Sequence, residues 1–411
     1  MSETTEAFVF RCLCLAAHFA FFYFVELAKA FKRVISGEFD VPVQMARRGC
    51  VIFRFKRDCL EIARREDFVV LDDGFVGFEE LLEPEWMVYS IDKRGAVFVK
   101  MPKPSPEYSA ENCPFLFMNM FEEPMETAEM SIEAYVAFAQ LIDRTIEKPK
   151  ETLFFTNTAR CASTLFASML SHAGHSICYA EPHVLTILAT GFGFGYWQYP
   201  QLLKLVPATI KILRKNVPSD QVCILKTTSS EVKIAPIVRH TMPEVKQIFM
   251  FRRNATDSVE RMLLIDTMHR FNLFQAFRWI INFIGYLTAT EAPWIEELKP
   301  THVKQLAFLL YAAPYSGYLR NKECFDFPVV WHDLLIRQTR KVLALVFEKL
   351  EIPLECIPEA VKRMRKDSQE GTKLSQNSIG SLEATPLTPK LEESLAEYAA
   401  LLGVPKDVCG F

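Results

Sequence analysis

A strand, a turn and a helix that follow one another between Glu151 and Pro182 constrain the fold of this chain most. The apolar run Leu-Phe-Phe at 153–155 predicts a short buried strand, and a polar turn follows at 156–163. Apolar residues at helical spacing then predict an amphipathic helix: Leu165, Phe166, Met169 and Leu170. In this geometry the free N–H groups and the positive dipole end of the helix face the turn, where they can bind phosphate. The stretch therefore predicts an anion site.

The turn carries donor residues and lacks the residues of an ATPase loop. Arg160 supplies a fork of N–H donors, and Ser163 and Thr164 can cap the helix or donate to an oxyanion. The Walker A pattern G-x-x-x-x-G-K-[ST] needs glycine and lysine, and the turn has neither. This disfavours an ATPase or a GTPase. The alternative without a ligand is an ordinary strand–turn–helix unit with a surface arginine.

Two later apolar runs also end on cations. The run 222–225 ends on Lys226, and the run 245–251 ends on two arginines, of which Arg253 is the second. A helix that begins at Thr256 or the next residue carries Arg261. Strands that alternate with helices predict an α/β fold, a parallel sheet flanked by helices, with ligands at the carboxyl ends of the strands. Because Arg160, Lys226 and Arg253 each follow a strand, the sequence predicts a polyanion site at one edge of the sheet.

Composition excludes several other classes of protein. A net charge of −3 gives no basic field, so we expect no nucleic-acid partner. The eleven cysteines contain no C-x-x-C pair, and the eight histidines show no H-x-x-x-H spacing. We therefore expect neither a disulfide framework nor a metal site.

Residues 7–28 form the second strong feature of the sequence. From Cys12 to Val25 the run is apolar except for His18, and with its flanks it reaches the roughly 20 residues that span a bilayer. An interfacial helix and a helix buried in the core are the alternatives. Acids before the run and cations after it favour a membrane-associated protein whose bulk is cytosolic, with a Golgi membrane as the alternative. The only N-x-[ST] sequon, 254–256, lies in the expected ligand site and also favours the cytosolic side.

The sequence divides into three parts: a hydrophobic membrane-associating helix at 1–34, a small α+β module with a linker at 35–148, and the α/β domain at 149–411. The Pro- and Ser-rich stretch 102–114 is the predicted linker, and 60–65 is a predicted helical piece. The run GFGFGYWQYP at 191–200 predicts either a mobile aromatic loop beside an acceptor pocket or a loop packed on the core. The polar stretch 364–381 predicts a segment that closes over a phosphate, with a solvated loop as the alternative. Residues 271–320 are predicted to be helical, and a further helix is predicted over 333–350.

Residues 150 to about 380 resemble the sulfotransferase fold, a relative of the P-loop kinases. Arg160 with 161–164 resembles the 5′-phosphosulfate loop, in which the family usually has glycine where this chain has Ala162. The run IFMFRRN at 248–254 resembles the strand and arginine that hold the 3′-phosphate. The family's serine eight positions after that arginine is Arg261 here. The run VWHDL at 330–334 resembles a late strand-to-helix junction.

The resemblance implies transfer of a sulfuryl group from 3′-phosphoadenosine 5′-phosphosulfate (PAPS) to a hydroxyl or amine, without a metal. Glu181 lies 21 positions after Arg160, where protein-tyrosine sulfotransferases carry a glutamate base, and His183 is the reserve base. By the same resemblance Arg160 and Lys226 stabilise the leaving phosphate. The remaining cosubstrate-binding positions implied are Cys161, Ala162, Ser163, Thr164, Arg253 and Arg261. The aromatic loops and the membrane segment favour a lipophilic hydroxyl acceptor among small molecules.

Two other functions compete with this interpretation. One is a nucleotide kinase or another phosphotransferase, which the missing GK[ST] disfavours. The other is a membrane-tethered binding protein that keeps the fold without catalysis, for which Ala162 and Arg261 are the best support.

Overall fold

The computed structural model describes residues 5–37, 41–42, 44–266, 291–372 and 374–410. The first part of the predicted helical stretch, residues 271–290, lies outside the described residues, and so does Lys373 of the predicted closing segment. The described remainder of that stretch is helical from Ala292 to Leu298 and from Val303 to Arg320.

The strands of the described chain are numbered in order. They are β1 (Met45–Arg54), β2 (Phe68–Gly77), β3 (Trp86–Asp92), β4 (Gly95–Lys100), β5 (Glu126–Met130), β6 (Glu151–Asn157), β7 (Ser176–Ala180), β8 (Val222–Lys226), β9 (Lys246–Phe251) and β10 (Val330–Trp331).

The helices of the described chain are numbered in the same way. They are α1 (Thr5–Ser36), α2 (Phe78–Leu81), α3 (Leu116–Glu122), α4 (Ile132–Thr145), α5 (Ser163–Met169), α6 (His183–Gly193), α7 (Tyr199–Arg214), α8 (Ala235–Thr241), α9 (Thr256–Asp266), α10 (Ala292–Leu298), α11 (Val303–Arg320), α12 (His332–Arg337), α13 (Thr339–Leu350), α14 (Ile357–Lys362), α15 (Gln376–Gly380), α16 (Pro389–Leu402) and α17 (Lys406–Cys409).

The parallel sheet has the order β10-β9-β6-β8-β7, and every neighbouring pair in it is parallel. Its strands are apolar runs because both faces are covered. Leu153 and Phe155 pack with α5 and α13 on one face, and Phe154 packs with α6 and α7 on the other. The predicted α/β class, a parallel sheet flanked by helices, is confirmed. The carboxyl ends of its strands meet at one edge.

The N-terminal module is a five-stranded antiparallel sheet with the order β2-β1-β5-β4-β3. The predicted α+β module and apolar N-terminal helix are therefore confirmed. The stretch 102–114, predicted as a linker, connects two strands of this sheet and packs on the α/β domain. There the Ala110 N–H donates to the Cys178 carbonyl at 2.8 Å, and Tyr108 and Cys113 are buried.

Two local predictions are wrong in detail, and for a third stretch the structure favours one of the two predicted alternatives. Residues 60–64 are not helical, because their groups face other elements: the Ala63 N–H donates to His183, and the Glu61 carbonyl accepts from the buried Lys56. The predicted helix 333–350 breaks at Gln338, where α12 ends and α13 begins. The run 191–200 completes α6 and starts α7, and its Trp197 is buried in the core, so core packing is the alternative that holds.

Candidate active site

The turn between β6 and α5 has a strained backbone. Arg160 and Ala162 have φ values of 59° and 68°, in the left-handed region that costs an L-residue roughly 1–2 kcal/mol. The side chain of Cys161 between them is fully buried and anchors the turn, and burial raises the pKa of its thiol. A glycine at 162 would adopt this conformation without the steric cost. The turn therefore keeps its shape although it lacks the expected glycine.

A cavity of about 570 Å³ lies above this turn at the carboxyl edge of the parallel sheet. Every strand of that sheet ends beside it. The residues that line it after β6, β7, β8, β9 and β10 are, in that order, Arg160, Glu181, Thr228, Arg252 and His332. Ala162, Ser163 and Thr164 line it as well. The sheet edge predicted from the sequence therefore surrounds a cavity.

Two guanidinium groups, those of Arg160 and Arg252, line this cavity, and the Arg261 guanidinium lies near that of Arg252. Burial and the neighbouring Arg252 lower the pKa of Arg160. Burial lowers the pKa of Arg252 too, and Arg261 adds to that effect. The buried Nε atoms of Arg160 and Arg261 have no hydrogen-bond partner among the described residues. Like charges held together with unused donors form a site that an anion would stabilise.

Arg253 points elsewhere. Its Nη1 donates to Asp333 at 3.1 Å, its guanidinium lies 4.0 Å from the centre of the Trp331 ring, and it is absent from the cavity lining. Its neighbour Arg252 lines the cavity instead. The role of Arg253 in holding a 3′-phosphate stays a prediction.

Glu181 and Lys226 form an ion pair below the cavity. The Lys226 ammonium donates to Glu181 Oε1, and the Glu181 N–H donates to the Lys226 carbonyl at 2.6 Å. The side chain of Lys226 is 1% exposed, whereas that of Glu181 is 16% exposed and faces the cavity. Glu181 has a φ of 58°, so its backbone is strained at the point where the side chain enters the cavity. Lys226 itself is not part of the lining and acts on the cavity through this carboxylate.

His183 is held as a neutral ring. Burial and the Lys56 ammonium keep its pKa well below the usual range. Its Nδ1 accepts from the Ala63 N–H at 3.1 Å, and its ring stacks on Phe117 at 3.8 Å. A neutral imidazole that accepts at Nδ1 carries its proton on Nε2. His183 lines the cavity with its proton assigned to Nε2, and its role as the reserve base stays a prediction.

Residues 366–369, with Leu374 and Gln376, line another side of the cavity. The Gln369 side chain accepts from Arg160 Nη1 at 2.7 Å and lies 3.4 Å from the Thr164 hydroxyl. Asp367 holds the segment in shape by accepting from the backbone N–H groups of Gln369 and Gln376. The segment predicted to close over a phosphate thus contacts the turn between β6 and α5, and its closure over a phosphate stays a prediction.

Several cavity residues are not identified by the sequence. Leu60 and Ile62 come from the N-terminal module, Phe115 lies between the predicted linker and α3, and Phe117 belongs to α3. These four form an apolar wall of the cavity. No local pattern marks them, since they meet the site only through contacts between residues distant in the chain. The apolar run that ends on two arginines does mark a cation at this strand end, but it does not show whether Arg252 or Arg253 enters the cavity.

No known protein family and no curated protein matches the chain by sequence. Several solved structures are similar to it, and three of them are described here by identity, coverage and TM-score. They are a sulfotransferase from Alicyclobacillus acidocaldarius (14% identity, 63% of this chain and 98% of that one, TM-score 0.34), sulfotransferase STF9 from Mycobacterium avium (12%, 67% and 82%, 0.35) and mouse sulfotransferase SULT7A1 in complex with PAP (13%, 66% and 91%, 0.32). Because identity and TM-scores are this low, the function of the chain has to be argued from the residues of its own cavity.

Proposed function

We propose that this chain transfers the sulfuryl group of PAPS to a hydroxyl or amine acceptor. The observation that carries the proposal is that Arg160, Arg252 and the carboxylate of Glu181 line one cavity, with Arg261 close behind Arg252. Clustered guanidinium groups suit a ligand with several phosphate groups. A carboxylate beside them supplies the base that an acceptor hydroxyl needs.

The proposed roles follow from where charge develops. The bond between sulfur and the bridging oxygen of the phosphosulfate breaks, and a bond forms from sulfur to the acceptor oxygen or nitrogen. Glu181 takes the acceptor's proton. The bridging oxygen leaves with the electron pair, and Arg160 with the N–H groups of the turn 161–164 stabilises its charge. Lys226 orients Glu181 through their ion pair and supplies positive charge from below.

The second phosphate of the cosubstrate, on the 3′ position, would be held at the other side of the cation cluster. Arg252 and Arg261 are close enough to affect each other electrostatically, and Arg252 lines the cavity. Arg253 remains the alternative from the sequence resemblance and would have to leave Asp333 to take part.

The apolar wall of the cavity favours a lipophilic acceptor. Leu60, Ile62, Phe115 and Phe117 offer carbon surface near Glu181 rather than hydrogen-bond donors. Among the described helices, one is long and apolar enough to cross a membrane, at Phe10–Ser36. We therefore propose that the protein is attached to a membrane by this helix, with the α/β domain on the cytosolic side.

Turnover of radiolabelled PAPS tests the proposal, with 2-naphthol and vesicle-borne cholesterol as acceptor probes. Glu181→Gln removes the base but keeps the size and one acceptor oxygen, so kcat should fall roughly 10²- to 10⁴-fold while affinity for 3′,5′-bisphosphoadenosine (PAP) is kept. His183→Asn is the matched control, because its side-chain oxygen can still accept from Ala63, and turnover should stay within roughly tenfold. The opposite order of the two variants would assign the base to His183.

A binding protein without catalysis is the second candidate. The methyl group of Ala162 lines the cavity at a position where glycine would leave more room for a phosphate. In that case PAP would bind, no acceptor would be sulfated, and Glu181→Gln would change nothing.

A further inference from the structure

Helix α1 turns charged and polar residues toward the module and exposes a large apolar face. A helix on the surface of a soluble protein has the reverse arrangement. The face toward the module carries His18, Phe22, Val25, Lys29 and Arg33, at the helical spacing of one stripe. The opposite face is apolar. Its large side chains are 58–71% exposed: Leu13, Phe24, Leu27, Phe31 and Val34. A helix in water places its charges outward, so this outward face calls for an apolar partner.

Polar contacts fasten the inner stripe to the module along its length. His18 Nε2 donates to the Glu66 carbonyl near one end. Arg33 donates to both carboxylate oxygens of Asp72 at 2.8 and 2.9 Å near the other end. Between these points Phe22 and Val25 are buried against Val69 of β2.

The part of α1 that is fixed to the module is too long for α1 to cross a bilayer. His18 and Arg33 are 15 positions apart, or about 22 Å along a helix, against about 30 Å of hydrocarbon in a bilayer. If α1 crossed the bilayer with these contacts in place, Glu66, Asp72 and the strands that carry them would lie in the hydrocarbon. Lipid does not accommodate open sheet edges and exposed carboxylates.

The apolar surface continues from the helix onto the sheet. Phe53 of β1 is half exposed, and its ring lies 6.3 Å from the ring of Phe21. Exposed cations flank this surface, with Lys32 on α1 and Lys93 on the turn between β3 and β4. Apolar area bordered by lysine is complementary to an anionic lipid surface.

We infer that α1 does not cross a membrane but lies flat in one leaflet of an anionic bilayer, with its apolar face inserted and the module on top. This inference rests on the proposed membrane attachment and fixes its geometry. It also places the cavity near the lipid. Arg64 stacks over Phe19 of α1 at 5.6 Å, and two positions earlier in the same segment Ile62 lines the cavity.

Four positions on the outward face, each seven residues from the next, make the test direct: Leu13, Ala20, Leu27 and Val34. A fluorescent amino acid is placed at one of them at a time in the full chain. The protein is bound to phosphatidylcholine vesicles that contain phosphatidylserine, and quenching by nitroxides at graded lipid depths gives the depth of each position. Lys148, an exposed residue of the α/β-domain side, is the control position and should not be quenched.

A flat helix gives the same shallow depth at all four positions. A spanning helix gives depths that change by about 10 Å from one position to the next and pass through the bilayer centre, which would overturn the inference. Absence of quenching at every position, with a dimer in sedimentation that Leu27→Glu dissociates, would assign the face to a second copy of the chain and overturn it too. PAP titration of the same samples reports on the cosubstrate site separately.

Partition into the vesicles provides a second readout. Leu27→Glu with Phe31→Glu should lower binding to these vesicles at least tenfold and leave the fold intact, since both side chains are already exposed. Leu387→Glu with Leu401→Glu, two exposed leucines near the C-terminus, is the matched control and should not change it. Equal loss in both double variants would contradict a specific role of α1.

Discussion

Replacement of Arg252 by alanine should weaken the cosubstrate complex and leave the ligand-free fold at least as stable. Arg252 lines the cavity, and both burial and the nearby Arg261 lower its pKa. A group whose charged form is disfavoured in the folded state costs stability, so its removal should not lower the free energy of unfolding. Its side-chain hydrogen bond to the part of the chain that the structure describes, from Nη1 to the Arg160 carbonyl at 3.4 Å, is long and contributes little.

The loss of binding follows from the contact that Arg252 would make to a phosphate. A charge-assisted hydrogen bond is worth about 1.5–3 kcal/mol, which corresponds to a roughly 10- to 150-fold increase in Kd. The free energy of unfolding should stay the same or rise by up to about 1 kcal/mol, because repulsion among the three guanidinium groups is relieved.

Arg253→Ala is the matched control one position along the chain. It removes a half-exposed ion pair with Asp333 and a contact over Trp331. Together these should lower the free energy of unfolding by about 1 kcal/mol, with PAP affinity changed by less than about threefold. Calorimetric titration with PAP and urea denaturation of both variants measure the two quantities. A large loss of affinity in Arg253→Ala, with none in Arg252→Ala, would refute the assignment of Arg252.

Three further changes test the cavity and its surroundings. Ala162→Gly should raise the free energy of unfolding by about 1 kcal/mol in urea denaturation, because glycine adopts a φ of 68° without strain. The variant should also bind PAP at least as tightly. A less stable variant would contradict the strain at position 162. Gln369→Glu should weaken PAP binding at least tenfold in titration, because a carboxylate would pair with Arg160 and repel phosphate, whereas Gln369→Ala should not. Burial and the nearby Arg363 lower the pKa of His172 to about 4. As pH falls below about 6.5 the imidazole is therefore protonated in the unfolded chain first, and the free energy of unfolding falls by up to about 1.4 kcal/mol per pH unit. His172→Asn should reduce that dependence between pH 7 and pH 5, and an unchanged slope would count against it.

The parallel sheet could be predicted from the sequence because its strands are short apolar runs bounded by polar turns. Burial on both faces removes the alternation of a half-exposed strand and leaves a local signal. Cations at the strand ends were predictable for the same reason, since the carboxyl ends of parallel strands meet at one edge.

Which of the adjacent residues Arg252 and Arg253 enters the cavity could not be predicted from the sequence. Successive side chains at a strand end point in opposite directions, so whether Arg252 or Arg253 enters the cavity depends on where β9 stops. In the structure β9 ends at Phe251 and Trp331 of the neighbouring strand receives Arg253. That contact joins residues 78 positions apart, and nothing local encodes it.

The N-terminal module posed a different difficulty. Its individual strands have a visible pattern, but Leu60 and Ile62 reach the cavity only because Ala63 docks on His183, 120 positions later in the chain. For α1 the local pattern was clear, but the orientation of the helix was not. Its apolar run predicted a membrane segment, while the contact of Arg33 with Asp72 that argues for a flat orientation depends on the folded module.

Calorimetric titration of the full chain in detergent with PAP, and separately with ATP and Mg²⁺, shows whether this cavity is a PAPS site. Because Arg160 and Arg252 line the cavity and Arg261 lies near Arg252, we predict tight binding of PAP that chelators do not affect and that Arg160→Ala weakens at least tenfold. Binding of ATP with Mg²⁺ in place of PAP would favour a phosphotransferase. Binding of neither nucleotide would contradict a cosubstrate site in this cavity.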